Sequence, residues 1–295
     1  MRLAAFTVGG RDAIGVVRGA AVVDLSADPS LPHTVEALLE RGADALARAR
    51  AVAEAGETIP LEHVRLRAPV TKPRKFLAIA ANYQSHIDEV LASNPNYVPP
   101  TDQRWFNKQV TSINGPYDAI LMPPESKELD YEAELAIIIG RRCRRIPLEA
   151  APSVIGGFTV CNDVSARDWQ RRSPTIMLGK SFDTHGPLGP WLVTPDELGD
   201  PHDLEITCTV NGELRQRGST AEMINNCYEQ IAYLSTVFTL EPGDVLATGT
   251  PAGTGLAHRP PRLLRAGDIV RCEIERIGAI QAVIEAESVS AQPWT

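Results

Sequence analysis

The chain has 295 residues, of which 43% are hydrophobic and 22% charged, an ordinary globular composition that can bury a large core in one β-rich domain or in two. Its net charge of −8 argues against general nucleic-acid binding, which needs a basic face. No apolar run approaches the ~20 residues that span a bilayer, and the five cysteines include no Cys-x-x-Cys pair, so neither a zinc site nor a disulfide framework is indicated.

The first residues, Met1 to Phe6, soon meet the pair Gly9-Gly10 and lack the apolar core of a signal peptide. A cytoplasmic protein is therefore expected. Short apolar runs over residues 3–8, 13–17 and 20–25 are separated by Gly9-Gly10-Arg11-Asp12 and Arg18-Gly19, which predicts a small meander. Leu31, Val35, Leu38 and Leu39 are spaced for one helix face, with Thr34 as N-cap and Gly42 as stop. An alanine-rich helix is expected over 44–56. Pro69 and Pro73 then mark a linker. The expected organisation is a small N-terminal α/β domain, 1–70, followed by a β-rich catalytic domain, 71–295.

After the linker, a short apolar strand over 76–80 enters Asn82-Tyr83-x-x-His86-x-x-Glu89. If that segment is helical, His86 and Glu89 are neighbours on one face. Residues 93–101 hold three prolines and two asparagines, the composition of a loop long enough to act as a lid. Trp105-Phe106-Asn107-Lys108 and an Asn114-Gly115-Pro116 turn follow.

Residues 135–139 are an unbroken apolar run closed by Gly140, which reads as a buried strand. Glu132 and Glu134 stand just before it. Side chains alternate along a strand, so both carboxylates point the same way and repel each other. A hard divalent cation such as Mg²⁺, which takes oxygen ligands, would relieve that repulsion. A solvated strand face is the plainer use of an isolated Glu-x-Glu pair. The segment 155–161 reads as another strand and runs into Asn162-Asp163. Asp163 either reaches into a site from the strand end or caps a helix starting near Val164. The basic run Arg141-Arg142-Cys143-Arg144-Arg145 reads as a solvated turn.

The C-terminal third reads as mostly β. Asn211-Gly212 predicts a tight hairpin, and Glu241-Pro242-Gly243-Asp244 and Arg265-Ala266-Gly267-Asp268 predict turns. The glycine-rich stretch 248–255 lacks the lysine and helix start of a phosphate loop.

Taken together, these stretches resemble the fumarylacetoacetate hydrolase family. The matching strings are Asn82-Tyr83-x-x-His86-x-x-Glu89, Asp130-Tyr131-Glu132-x-Glu134-Leu135, Asn162-Asp163-Val164-Ser165-Ala166-Arg167-Asp168-x-Gln170, Gly179-Lys180-Ser181-Phe182-Asp183 and Thr248-Gly249-Thr250-Pro251. They occur in the family's order from residue 76 to about 255. The resemblance implies an α+β, β-rich fold of mixed rolled sheets, usually a homodimer, with Mg²⁺ or Mn²⁺ held by Glu132, Glu134 and Asp163. It also implies a small-molecule oxo-acid substrate. His86 and Glu89 would be the family's water-activating pair. Lys180 would stabilise developing negative charge. Arg167 and Gln170 would position the substrate, Thr250 would hold its carboxylate end, and Lys108 would contribute from the lid side.

The first expectation is hydrolysis of a carbon–carbon bond in a β-diketo acid such as an acylpyruvate. The alternative is an isomerase, tautomerase or decarboxylase of a related 2-oxo-dicarboxylate, as in aromatic catabolism. A non-catalytic binding role on the same scaffold stands behind both. Many relatives carry an aromatic residue shortly before the Gly-Lys pair. Here the segment is Ser173-Pro174-Thr175-Ile176-Met177-Leu178, which is expected to border the pocket and leaves the substrate open.

Overall fold

A computed structural model describes residues 1–288. The predicted meander forms as three antiparallel strands, Arg2–Val8, Arg11–Arg18 and Ala21–Asp24. Thr34 caps the helix Val35–Glu40, its hydroxyl accepting from the Ala37 N–H at 3.2 Å. The alanine-rich helix spans Ala43–Ala55.

One 12-stranded sheet runs through most of the molecule. From the N-terminal meander it continues through Gly186–Val193, Ile155–Asn162, Ala133–Ile139, Val245–Ala247 and Phe76–Ala80 to an edge at Arg104–Lys108. A five-stranded sheet, built around Glu205–Val210, Ile269–Ile274 and Gly278–Ala286, covers one face of its centre. The fold is therefore mixed α+β and strand-rich, as the motifs implied. The hairpin at Asn211-Gly212 is present, with φ of 53° and 79° at its two turn residues, as a two-residue type I′ loop requires.

The boundary expected after residue 70 falls in a segment that is pinned rather than free. Ala68 and Val70 are buried. The backbone N–H groups of Thr71 and Lys72 both donate to Glu36 Oε1, at 2.8 and 3.0 Å. The strand Arg2–Val8 pairs with Gly186–Val193, so residues on both sides of the linker share one sheet. The two prolines interrupt regular structure, but the buried apolar residues beside them keep the packing continuous.

The strand Ala133–Ile139 sits at the centre and is buried along its whole length. Leu135, Ile137 and Ile139 face the core under the five-stranded sheet, whereas Ala136 and Ile138 face the core shared with the N-terminal helices. Burial on both faces is why this stretch reads as a continuous apolar run rather than an alternating one. Each fully buried isoleucine contributes about 1.5–3 kcal/mol relative to exposure, so the strand is a rigid base for whatever its first residues carry. The run stops where Gly140 approaches Gly156: a Cβ on Gly140 would lie 2.5 Å from the Gly156 Cα.

Candidate active site

The site follows from register. The antiparallel ladder sets Ala133 opposite Asn162 and Glu134 opposite Cys161. One step beyond, the Asp163 N–H donates to the Glu132 carbonyl at 2.9 Å. Opposed residues share a face, so Glu132, Glu134 and Asp163 come to the same side at the open end of the pair. One carboxylate oxygen from each lies within 4.8 Å of the other two, and all three residues are buried. Asp163 is not a helix cap: the helix Arg167–Gln170 follows Ala166 and has no side-chain cap.

Cations surround two of the three carboxylates. Lys180 Nζ lies 2.6 Å from Glu132 Oε2 and 2.6 Å from Asp163 Oδ2. Lys108 Nζ lies 2.6 Å from Asp163 Oδ1, and Arg167 Nη2 lies 2.7 Å from Glu132 Oε1. Burial pushes the Glu132 carboxyl up, but the Lys180 ammonium and the Arg167 guanidinium outweigh it and hold the group well below the usual carboxylate range. Burial also disfavours the charged Lys180, yet the Asp163 and Glu132 charges keep its pKa above the ordinary value.

Glu134 differs. Among the described residues no lysine or arginine pairs with it, and its Oε2 accepts one hydrogen bond, from the Gly249 N–H at 2.8 Å. Gly249 has φ of 92°, and a Cβ there would meet the Asn82 Cβ at 2.9 Å, so glycine is required for this donor to reach the carboxylate. Burial, with the Asp163 and Glu132 charges beside it, pushes Glu134 well above the usual carboxylate range. A buried carboxylate that lacks a cation partner and faces two others is the donor set that an oxygen-seeking divalent cation fits.

His86 and Glu89 lie on the helix Gln84–Ser93, as their spacing predicts, with His86 Nδ1 3.1 Å from Glu89 Oε2. Glu89 is itself held by the loop after Pro251: its Oε1 accepts from the Gly253 N–H at 2.7 Å and its Oε2 from the Thr254 hydroxyl at 3.3 Å. The dyad is therefore anchored on its carboxylate side. With Nδ1 donating to Glu89, Nε2 is the basic nitrogen.

Three other residues sit differently from expectation. Lys108 is not at the lid. It is fully buried on the edge strand, and besides Asp163 its ammonium donates to the Lys180 carbonyl. It is a counter-ion beneath the carboxylates, because the strand face it shares with Phe106 turns inward. Thr250 lines the site, but its hydroxyl donates to the Ala133 carbonyl and accepts from Gln216 Nε2, both at 2.8 Å, so its proton is already engaged. Arg167 lines both cavities but is already held by its neighbours. Its Nε donates to Asp130 Oδ2 at 2.8 Å, and its Nη1 to Gln170 Oε1 at 3.0 Å. That contact fixes Gln170 with its amide nitrogen free to donate.

Asp130 is the residue that sequence reasoning left without a role. It is fully buried and accepts from Arg167 and from the N–H groups of Tyr131, Gly255 and Leu256. It joins the arginine to the loop that also holds Glu89. The only signal in the sequence is its place at the head of the Asp-Tyr-Glu string.

Two connected cavities complete the site. An inner one of about 70 Å³ is lined by His86, Phe106, Glu132, Glu134, Lys180 and Thr250, among others. An outer one of about 550 Å³ shares Ala80, Ala81, His86, Arg167, Gln170 and Ile176 with it and adds Tyr97 of the loop after the helix. Ser173, Pro174 and Ile176 of the departing segment line its wall. Ile176 has φ of 53°, a conformation in which a β-branched residue is strained.

The family model for the fumarylacetoacetate (FAA) hydrolase C-terminal domain matches residues 75–285. The chain is 47% identical over 265 residues to the oxaloacetate tautomerase Fahd2a, mitochondrial, of Rattus norvegicus, covering 89% of this chain and 83% of that protein. The fold is similar to that of the fumarylacetoacetate hydrolase of Exiguobacterium antarcticum, with a TM-score of 0.84, 36% identity and coverage of 97% and 100% of the two chains. It is also similar to the maleylpyruvate hydrolase of Sphingobium sp. SYK-6 in complex with manganese (II) ion and pyruvate. That match has a TM-score of 0.82, 29% identity and coverage of 98% and 100%.

Proposed function

Because the chain belongs to the fumarylacetoacetate hydrolase family, we propose that it is a divalent-metal-dependent tautomerase that interconverts the keto and enol forms of a small 2-oxo dicarboxylate such as oxaloacetate. The motifs alone set hydrolysis of a carbon–carbon bond first. The 47% identity to an oxaloacetate tautomerase over 89% of the chain moves the weight to the alternative and carries this reading. The same residues serve it, because both reactions pass through an enolate.

Keto-to-enol conversion breaks one C–H bond beside the 2-oxo carbon and makes one O–H bond on that carbon's oxygen. Nothing is oxidised and no water is consumed. A cation held by Glu132, Glu134 and Asp163 would supply Lewis-acid stabilisation of the enolate charge, Mg²⁺ and Mn²⁺ both suiting an all-oxygen set. His86 Nε2 takes the C3 proton, and Glu89 fixes the tautomer that leaves Nε2 basic. Lys180, kept protonated by its two carboxylate neighbours, faces the oxygen on which charge develops. It holds that charge until a solvent proton completes the O–H bond, while His86 releases the proton it took to solvent. Gln170 donates to the substrate from the cavity wall. Arg167, already paired, acts by keeping Glu132 and Gln170 in place.

Measuring keto–enol interconversion of oxaloacetate and cleavage of an acylpyruvate with one metal-loaded preparation separates the two chemistries. The family likeness further supports a homodimer as the working unit. Light scattering should then give about twice the 32.0 kDa of one chain, and a monomer at micromolar concentration would contradict it.

A further inference from the structure

The edge strand Arg104–Lys108 carries three side chains on one face at period two. Lys108 lies beneath Asp163, Phe106 walls the inner cavity, and Arg104 reaches the outer one. Each two-residue step along a strand covers roughly 7 Å, so Arg104 stands in line with the carboxylate cluster at the far end of the path a ligand takes inward. Its backbone is paired opposite Ala80, which lines both cavities.

The outer cavity holds Arg104, Arg167 and Arg171, and no carboxylate lines it, on a chain of net charge −8. Two of these arginines are already paired. Arg167 is held by Asp130 and Glu132, and Arg171 lies 2.7 Å from Glu128. Arg104 makes no ion pair among the described residues. The rest of the wall is largely apolar, with Ile87, Val90, Pro174, Ile176 and Leu256. Arg104 is exposed at the wall of the outer cavity, and a guanidinium without an ion-pair partner has the chemistry to bind a single carboxylate in a bidentate fork.

We propose that Arg104 binds the second carboxylate of the substrate and so selects 2-oxo dicarboxylates over 2-oxo monocarboxylates. This rests on reading the inner site as a 2-oxo acid site. Titration calorimetry on the Mg²⁺-loaded protein compares oxaloacetate with 2-oxobutanoate, in which a methyl group replaces the distal carboxylate. The wild-type protein should favour oxaloacetate. Arg104→Gln should lower the ratio of the two affinities by about 10- to 100-fold, the usual loss for a charge-assisted pair, and Arg104→Lys should retain part of it. An unchanged ratio in Arg104→Gln, or an equal fall in both affinities, would overturn the assignment. If the wild-type protein enolises neither acid, the tautomerase reading fails, while the affinity ratio still decides the role of Arg104.

Discussion

Replacing Lys180 with methionine is expected to lower kcat by about 10²–10³-fold, the usual cost of removing one preorganised group that faces developing negative charge. Methionine is similar in length and cannot carry charge. Lys180 is buried and touches both Glu132 and Asp163 at 2.6 Å, so the change also removes a shared counter-ion. Breaking a buried pair by removing one partner costs about 3–5 kcal/mol. The metal-free variant should therefore melt earlier than the metal-free wild type. Saturating Mn²⁺ should restore more stability to the variant, because a ligand bound only by the folded state stabilises it and a cation there replaces the lost charge. Near-normal kcat would remove Lys180 from the mechanism. An unshifted metal-free melting temperature would show that the carboxylates do not depend on it.

His86→Ala is expected to lower kcat by about 10²–10⁴-fold, the range for loss of a positioned general base. KM should move less, because the carboxylates, Lys180 and Gln170 are untouched. Glu89→Gln should cost about 10- to 100-fold, as changes to an orienting partner do. The amide still accepts from Gly253 but no longer enforces the tautomer that leaves Nε2 basic. Metal binding, read by calorimetry with Mn²⁺, should be unchanged in both variants. Near-normal turnover in His86→Ala would mean that another group carries the proton.

The residues that sequence could place are those whose partners are local. Glu132 and Glu134 share a face because strand side chains alternate. His86 and Glu89 meet because helix neighbours three apart do. The Asn211-Gly212 hairpin needs only its own turn chemistry. Asp163 was ambiguous because its direction depends on which strand pairs with Ile155–Asn162 and in what register, a contact 30 residues away between Glu132 and Asn162. Lys108 was misplaced for a similar reason. Period two puts it on the face of Phe106, but only the sheet order shows that this face points inward beneath the carboxylates. Asp130 was missed because its partners Arg167 and Gly255 lie 37 and 125 residues away. No local pattern distinguishes a buried clamp from an exposed aspartate beside a strand.

On the proposed function, these residues form a metal-dependent site for keto–enol conversion of a 2-oxo dicarboxylate. The most direct measurement is the decay of enol absorbance when oxaloacetate, freshly dissolved in its enol form, is mixed with the Mg²⁺-loaded protein. The mechanism predicts decay well above the rate in the same buffer and cation without protein, lost on chelation and lost again in His86→Ala. Decay no faster than the protein-free control, with rapid cleavage of an acylpyruvate by the same preparation, would contradict it.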